Sequence, residues 1–332
     1  MSTSSAVQDA AAGLDKPVRV GIIGCGKIAI NHVMALQGIT GVTVVGVCDV
    51  DVDRARQFAD EYGIPEATAD TDSLFALSLD AVTVCTPHPV HEAGVLAAAR
   101  ARVHVLCEKP IAVTLDEADR MIAATRAAGI HFGVLFQRRF WPSAQRISAA
   151  IDSGQLCQPI VSSCILRFNR EAEYESEPWR GRWNTEGGGA LINQTIHFID
   201  HMLWFMGPAV RVTGKIATLA HSNFIEVEDT AVATVEFASG ALAVIQASST
   251  FNPGLGVQLL VSDKAGQSAS ILEFPEGSGQ ADFWVVGDER EAPRIYDEEN
   301  LVDRPLAEIH AHLVPFHRMQ IEEFTGPAHE TE

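Results

Sequence analysis

An Asn and a His stand one helical turn apart behind three glycines in the stretch GGGALINQTIHFIDHM, residues 187–202. Asn193 and His197 are four residues apart, so a helix would place them on one face. A His can exchange a proton near neutral pH, and an amide offers a ligand both donors and an acceptor. One His on an apolar helix is, taken alone, more often structural than catalytic, so the pair needs support from the rest of the chain.

The same helix raises a second possibility, a metal site. His197 and His201 are spaced i, i+4, and Asp200 lies between them. The Glu of the HExxH metal motif is missing, and the sequence offers no evident third ligand. We therefore expect no metal, and we expect Asp200 and His201 to cap the helix or to pair within it.

A glycine-rich turn follows the first predicted strand. In GCGKIA, Gly24, Gly26 and Ala29 match the dinucleotide-binding pattern GxGxxG/A. Gly24 allows a tight turn, Gly26 lets the backbone approach a pyrophosphate, and Ala29 lets the helix pack closely on the strand. A glycine-rich turn in some other βαβ protein is the alternative, and the next strand helps to decide between them.

That next strand ends at Asp49. An acid at this position binds a ribose 2′-hydroxyl, and its charge repels a 2′-phosphate. The sequence therefore predicts NAD as the cofactor and makes NADP less favoured, although Arg54 and Arg56 follow closely.

A lysine also ends a predicted strand, in the stretch CEKP, Cys107–Pro110. Lys109 therefore lies at the carboxyl edge of the predicted sheet, where open α/β folds bind their ligands. There a lysine can donate a hydrogen bond to a hydroxyl and, with a lowered pKa, help to move a proton. A solvated lysine at a strand end is the other interpretation.

The elements that must position these residues follow two different patterns. From Val18 to about Gly154, short β-branched runs alternate with amphipathic stretches, which predicts a parallel sheet with crossover helices. Thr114 and Glu117 form a capping box at the start of one of these helices, and Gly129 is its predicted C-cap.

Beyond that point strands follow one another with few helices between them, which predicts a large, mostly antiparallel open sheet. One helix, over Gly189–Met206, interrupts it. We therefore predict an α/β fold with a flexible N-terminal tail (1–17), a Rossmann dinucleotide-binding domain (18–138) and an α+β domain for substrate binding and oligomerisation (139–332). The open face of such a sheet favours a homodimer or homotetramer.

Composition excludes several classes of partner. With 43 acidic and 24 basic side chains the formal charge is -19, which argues against nucleic acid and anionic membrane surfaces. No stretch approaches the roughly 20 apolar residues of a membrane helix, and the start lacks a secretion signal, so we expect a cytoplasmic protein. The six cysteines form no CxxC pair, and we expect buried thiols.

Taken together, the motifs resemble the glucose-fructose oxidoreductase and inositol dehydrogenase superfamily, the Gfo/Idh/MocA oxidoreductases. The resemblance covers Val18–Phe324 and rests on GCGKIA, CTPHPVH, CEKP, FQRRF and GGGALINQTIHFID. It implies a Rossmann domain followed by an α/β domain with a large open sheet. It also implies an NAD(P)-dependent dehydrogenase or reductase that acts on a secondary alcohol of a sugar, sugar derivative or cyclitol.

The resemblance also implies the site residues. The loop with Thr86 and His91 runs along the nicotinamide ribose, with His88 standing where members usually have Asn, and the segment WRGRW (Trp179–Trp183) reaches over the active site. The implied cofactor-binding residues are Gly24, Gly26, Lys27, Ile28, Asp49, Thr86, Pro87, His88, His91, Glu108, Lys109 and Gln137. The implied substrate-binding residues are Lys109, Arg139 (or its neighbour Arg138), Arg180, Trp183, Asn193 and His197.

Three of these residues are implied to be catalytic. Lys109 contacts the reacting hydroxyl, and Pro110 after it follows a cis peptide bond. His197 matches the general base, while Asn193 stands where many members have an Asp that orients it. Without that carboxylate His197 is easier to keep neutral, which suits a base, and the amide of Asn193 can orient substrate hydroxyls.

Two other functions remain open from the sequence. A related enzyme could oxidise a glycoside transiently with a retained NAD and eliminate the aglycone. Alternatively, the Asn at position 193 could mark a noncatalytic NAD-binding sensor.

Overall fold

The computed structural model describes residues 16–170, 177–252, 254–274, 280–286, 289–296 and 303–305. The chain divides into two compact units, one formed by Met1–Leu135 with Asn184–Gly187 and the other by Phe136–Trp183 with Gly188–Glu332. The predicted tail, residues 1–17, lies outside the described residues except for its last two. The end of the predicted second domain after residue 305 lies outside them as well.

The first unit contains a six-stranded parallel sheet in the order β3-β2-β1-β4-β5-β6. The strand order reverses beside β1, which pairs with β2 and β4, and doubly wound sheets bind ligands at such a point. The predicted Rossmann arrangement is confirmed. The strands are β1 (Val18–Ile23), β2 (Val42–Cys48), β3 (Glu66–Thr68), β4 (Ala81–Val84), β5 (His104–Glu108) and β6 (Phe132–Leu135).

Two apolar clusters hold helices against this sheet. Val33 and Phe58 belong to one cluster, and Val95 and Met121 belong to the other. The predicted capping box of Thr114 is confirmed, and the helix that it begins ends at Gly129 in the left-handed conformation. The helices are α1 (Lys27–Gln37), α2 (Val52–Tyr62), α3 (Thr71–Phe75), α4 (His91–Ala101) and α5 (Leu115–Ala128).

The second unit contains a nine-stranded sheet in the order β15-β14-β13-β12-β11-β7-β10-β9-β8, in which β7 and β10 pair in parallel and the other pairs are antiparallel. The predicted large, mostly antiparallel sheet is confirmed. The strands are β7 (Pro159–Arg167), β8 (Ala209–Ala217), β9 (Thr230–Phe237), β10 (Leu242–Ser248), β11 (Gly256–Asp263), β12 (Ser268–Glu273), β13 (Gln280–Val286), β14 (Glu289–Tyr296) and β15 (Asp303–Pro305).

One face of the nine-stranded sheet carries the core of this unit. Helices α6 (Pro142–Asp152) and α7 (Ile196–Met206) contribute to that core, and Phe198 and Met202 of α7 are fully buried in it. The other face exposes apolar residues: Val161 and Leu242 are register partners that are 44% and 56% exposed. Such a face suits a second subunit, and the homo-oligomer stays a prediction.

Among the described residues, no helix combines the length and the apolar character needed to cross a bilayer.

Candidate active site

The glycine-rich turn after β1 leaves room for a ligand at the start of α1. Gly24 has a φ of +91°, and a Cβ on it would lie 2.8 Å from the Cys85 carbonyl oxygen. Gly26 is the N-cap of α1 and makes no side-chain hydrogen bond to the helix start. A Cβ built on Gly26 would meet nothing within 4 Å. Behind them Lys27 is exposed, Ile28 is half-buried, and Ala29 is fully buried, as the close packing of α1 requires.

These features fit a dinucleotide pyrophosphate. The N-terminus of a helix attracts anions through its unsatisfied N–H groups, and the first turn of α1 contains no acidic side chain to compete. Close by, the buried hydroxyl of Thr86 has no hydrogen-bond partner among the described residues, so it could accept one from a ligand. The residues at this edge of the sheet therefore suit a bound NAD.

Asp49 follows β2 and is a buried carboxylate with several donors. Its oxygens accept hydrogen bonds from the backbone N–H groups of Cys25 at 2.9 Å and Asp51 at 3.0 Å. They also accept two from Arg54, from Nε at 3.1 Å and from Nη2 at 2.6 Å. Burial by itself would raise the pKa of Asp49, but these hydrogen bonds outweigh burial and hold the pKa below its ordinary value. Asp49 is therefore an anion near neutral pH.

The loop after β4 is tied down by two buried His rings. The 3-10 turn His88–Val90 begins with His88, whose Nδ1 lies 3.1 Å from the Glu186 carbonyl oxygen. His91 is completely buried, with Nδ1 2.9 Å from the Pro110 carbonyl oxygen and Nε2 2.8 Å from that of Thr86. Burial lowers the pKa of His91, and a neutral ring can donate to one of the two carbonyls at a time. His91 thus joins this loop to the turn that carries Lys109.

That turn is anchored to α1. The peptide bond between Lys109 and Pro110 is cis, as the resemblance implies. The backbone N–H of Lys109 donates to Glu108 Oε2 at 3.1 Å, and Glu108 Oε1 lies 2.8 Å from Nε2 of His32 on α1. Both His32 and Glu108 are buried. The carboxylate of Glu108, predicted to bind the cofactor, contacts the protein itself in this way, and it links the fingerprint helix to the backbone of Lys109.

In the second unit, both arginines of FQRRF form two-pronged ion pairs. Arg138 contacts Glu273 with both terminal nitrogens at 2.6 Å, and Arg139 contacts Asp200 through Nε and Nη2, each at 2.6 Å. The expectation that Asp200 caps or pairs within its helix is therefore wrong, because its partner comes from the 3-10 turn Gln137–Phe140. Gln137 is exposed on that turn.

The segment WRGRW lies against the loop before β9. The Gly181 carbonyl oxygen accepts a hydrogen bond from the Glu226 N–H at 2.7 Å, and a Cβ on Gly181 would lie 2.6 Å from Cγ2 of Ile225. Arg180 stacks over the Trp179 ring at 4.3 Å, while Trp183 is 46% exposed. The segment therefore has an exposed aromatic side chain on a backbone that close packing holds in place.

Asn193 and His197 do not lie on one regular α-helix. Leu191–Thr195, which contains Asn193, forms a π-helical turn, and α7 begins directly after it. The hydroxyl of Thr195 donates to the Ala190 carbonyl oxygen at 2.7 Å. The regular α-helix predicted for this stretch is therefore wrong at its start, because the π turn contains an extra residue. Turns of this kind are frequent at functional sites.

His197 itself is buried at the beginning of α7. The Phe136 ring meets its imidazole edge to face, with centroids 6.2 Å apart. Further along α7, burial lowers the pKa of His201 to about 4, and that ring packs against Phe198 and Phe205. In the described part of the chain, no group of three His, Cys, Asp or Glu side chains is arranged to hold a metal ion.

The last of the three glycines before this helix, Gly189, is explained by a residue that the sequence did not point to. Glu228 is buried, and its carboxylate accepts hydrogen bonds from the N–H groups of Gly189 and Leu191, both at 2.9 Å. Its carbonyl oxygen accepts one from Ala190 at 3.0 Å, and a Cβ on Gly189 would lie 1.9 Å from that oxygen. Glycine is therefore required where the helix start meets Glu228, and only folding brings them together.

Comparison with known proteins identifies the family. A model described as an oxidoreductase family with an NAD-binding Rossmann fold matches residues 18–136, and the model of the GFO/IDH/MocA C-terminal domain matches residues 144–267. The uncharacterized oxidoreductase YrbE of Bacillus subtilis is 31% identical over 266 residues, which are 79% of this chain and 76% of that protein. The chain belongs to the Gfo/Idh/MocA oxidoreductase family.

Other relatives agree with this Gfo/Idh/MocA assignment. The myo-inositol 2-dehydrogenase of Thermotoga maritima is 31% identical over 235 residues, 70% of this chain and 68% of that protein. The WlbA dehydrogenase of Bordetella pertussis, crystallised with NADH and UDP-GlcNAcA, has a TM-score of 0.71 at 27% identity, covering 83% of this chain and 82% of that one. The protein is thus an enzyme, an oxidoreductase that binds NAD, as the sequence predicted.

Proposed function

We propose that this protein is an NAD-dependent dehydrogenase, or reductase in the reverse direction, of a secondary alcohol on a sugar, sugar derivative or cyclitol. The observation that carries the proposal is the turn at Lys109, whose backbone is tied to α1 through Glu108 and His32 and to the Thr86 loop through His91. Rigid support of this kind suits a side chain that must meet a reacting group in a fixed geometry. The names of a myo-inositol dehydrogenase and of a dehydrogenase crystallised with UDP-GlcNAcA support the substrate class.

Each implied catalytic residue receives a role in this proposal. Lys109 donates a hydrogen bond to the carbinol oxygen, and the buried imidazole of His197 accepts the hydroxyl proton as the C=O bond forms. Asn193 orients the ring through its amide donors and acceptor. A bound NAD supplies the acceptor, nicotinamide C4, for the hydrogen that leaves the carbinol carbon with its electron pair. Exposed Trp183 and half-buried Arg180 are proposed to contact the substrate outside the reacting carbon.

The first experiment screens purified protein with NAD, and separately with NADP, against cyclitols, aldoses, glycosides and sugar acids, following the absorbance of the reduced nicotinamide. We expect turnover with one substrate class. Release of a chromogenic aglycone from a glycoside without net cofactor reduction would overturn the proposal in favour of the glycoside-cleaving enzyme. Binding of NAD with no turnover on any substrate would overturn it in favour of the sensor.

With an active substrate, Lys109→Met and His197→Ala test the roles. Each is expected to lower kcat by roughly 10² to 10⁴, the range for loss of a positioned acid–base group. Exposed Lys264→Met and His131→Ala are matched controls that should leave kcat within a few-fold of the parent. If Lys109→Met and His197→Ala also stayed within a few-fold, the assignment of both residues would be wrong.

A further inference from the structure

The carboxylate of Glu108 holds two parts of the first unit at once. Its Oε1 lies 2.8 Å from Nε2 of His32 on α1, and its Oε2 accepts a hydrogen bond from the backbone N–H of Lys109 at 3.1 Å. We call these two contacts the Glu108 bridge. His32 is 6% exposed and Glu108 is 5% exposed. Because both residues are buried, a broken contact would leave a polar group away from water without its partner, so the bridge favours its closed form.

One end of the Glu108 bridge depends on α1, whose beginning is secured from one side only. Ala29 and Val33 are fully buried and pack α1 into an apolar cluster. The N-cap Gly26, by contrast, makes no side-chain hydrogen bond to the helix, and the first turn contains no acidic residue. A pyrophosphate at this position would give the first N–H groups an acceptor and stabilise the first turns. Since His32 lies on the same short helix, an anion that opposes the opening of α1 also keeps His32 against Glu108.

The other end of the Glu108 bridge is the backbone of Lys109. The carboxylate of Glu108 accepts a hydrogen bond from the N–H of the residue that follows it, and this contact lasts only while the side chain keeps its rotamer. His32 holds that rotamer through the second oxygen. If His32 moved away, the Glu108 side chain could rotate, and the N–H of Lys109 would lose its acceptor. The state of α1 therefore reaches the backbone of Lys109 through one carboxylate.

We propose that the Glu108 bridge couples dinucleotide binding to the position of Lys109, and that His32 is the positioning residue in this coupling. A pyrophosphate at the beginning of α1 stabilises the helix, the helix keeps His32 against Glu108, and Glu108 holds the backbone of Lys109. Thermodynamic linkage makes the coupling reciprocal, so the closed bridge also strengthens pyrophosphate binding. The inference depends on dinucleotide binding by the first unit and not on the substrate proposed above.

Hydrogen exchange at the backbone N–H of Lys109, measured by NMR, tests the coupling without catalysis. The ligand is ADP, which has the pyrophosphate but lacks the nicotinamide that could shield Lys109 directly. Adenosine, which lacks the pyrophosphate, is the control ligand. Saturating ADP should slow the exchange roughly five- to fiftyfold, within the usual range of coupling between two sites. Adenosine should change the exchange rate by less than about twofold.

Two substitutions of His32 separate the hydrogen bond from the bulk of the side chain. His32→Leu removes the donor, so ADP should slow exchange at Lys109 by less than about twofold in this variant. Reciprocity also requires the Kd of ADP, measured by calorimetry, to rise by about the factor of slowing that is lost. His32→Gln supplies an N–H donor again and should restore much of both effects. The Kd of adenosine should stay within about threefold in both variants.

Val33→Ala is the matched control for a loss of packing on α1. Val33 follows His32 in the chain and is fully buried in the apolar cluster under the helix. The substitution should lower the thermal unfolding temperature, because it removes buried methyl groups. ADP should still slow exchange at Lys109 at least as much as in the parent, since the Glu108 bridge is intact. Thermal unfolding of the two His32 variants confirms that they are folded.

Equal slowing by ADP in the parent and in His32→Leu would show that the Glu108 bridge does not carry the coupling, and the proposal would be overturned. An absence of slowing in the parent would overturn it as well. So would a loss of slowing in Val33→Ala as complete as in His32→Leu, because any loosening of α1 would then suffice. Failure of the proposed sugar oxidation would appear differently, as a normal response to ADP without turnover.

Discussion

In the described part of the chain, two helical segments begin behind glycine-rich turns, one at α1 and one at the π turn before α7, and the two turns differ in what lies beside their glycines. At the start of α1, a Cβ on Gly26 would meet nothing within 4 Å, and no side chain caps the helix. At the turn before α7, a Cβ on Gly189 would lie 1.9 Å from the Glu228 carbonyl oxygen. The Glu228 carboxylate accepts hydrogen bonds from two backbone N–H groups of that turn. The first helix start is open to an anion, and the second is closed by an anion of the chain itself.

The difference shows why glycine content alone is a poor guide to anion binding. A helix start attracts a phosphate only while its N–H groups lack other acceptors. GCGKIA and GGGALI look alike in composition, but the space beside Gly26 is open, whereas the space beside Gly189 is filled by the Glu228 backbone. Asking what an added Cβ would meet separates the two.

The largest effect is expected from Gly189→Ala. The added methyl collides with backbone rather than with a side chain that could rotate, so the free energy of unfolding should fall by about 4 kcal/mol or more. Urea unfolding measures it. Gly188→Ala is the control, since its Cβ would approach the side chain of Ile192 at 3.2 Å and should cost much less. Equal stability of Gly189→Ala and Gly188→Ala would show that the contact with the Glu228 backbone does not require glycine at position 189.

Acid should destabilise α7, the helix that follows the turn capped by Glu228. Because burial holds the pKa of His201 at about 4, against an ordinary value of 6.5, protonation favours the unfolded chain. The contribution of His201 is constant above about pH 6.5 and falls as the pH drops towards 4, by on the order of 3 kcal/mol in all. Urea titrations across this range should show a flatter profile for His201→Phe than for exposed His131→Phe. Parallel profiles would contradict the assignment.

Glu228→Gln weakens the hydrogen bonds to the turn before α7 without changing the size of the side chain. One carboxylate oxygen becomes an NH₂ group that faces a backbone N–H, so one hydrogen bond is lost and a buried donor is left without an acceptor. The free energy of unfolding should fall by about 1–3 kcal/mol. Glu226→Gln, which loses an exposed pair with Arg182, should cost less than about 0.5 kcal/mol. If Glu228→Gln and Glu226→Gln were equally stable, the Glu228 carboxylate would not stabilise this helix start.

The smallest effect on stability is expected at the open start. Gly26→Ala should change the free energy of unfolding by no more than about 1 kcal/mol, because its methyl group points into open space. The Kd of NADH should nevertheless rise about tenfold or more, since the methyl group occupies the place of the pyrophosphate. Calorimetry with NADH measures this. Unaltered binding would show that Gly26 is not at the pyrophosphate.

Much of the first unit could be predicted because its signals are local. The fingerprint at Gly24 and Gly26, the acid at Asp49 and the capping box at Thr114 each depend on residues close together in the chain, and periodicity identified the strands between them. The large sheet of the second unit could be predicted equally well, because its strands follow one another with few helices between them. The cis bond before Pro110 came from the family resemblance and not from local physics.

The candidate site was harder because its supports are distant in sequence. No pattern around Asp200 indicates that Arg139 is its partner, and nothing near Gly189 points to Glu228. The prediction of one regular helix through Asn193 and His197 assumed an α turn, and apolar spacing cannot distinguish that turn from a π turn. Arg54 and Arg56 both follow Asp49 closely in the chain, but the sequence does not decide that Arg54 contacts Asp49 while Arg56 contacts Asp53.

The order of the elements, the two kinds of sheet, NAD as the cofactor and the family follow from the amino-acid sequence, because each rests on short-range periodicity or on a contiguous motif. The partners of the buried charges do not follow from it. The carboxylate of Asp49 contacts the guanidinium of Arg54, whereas the carboxylate of Glu228 accepts hydrogen bonds from backbone N–H groups. Whether a buried acid pairs with a charged side chain or with backbone N–H groups depends on what the folded chain brings within hydrogen-bond distance. That is a property of packing rather than of residue type.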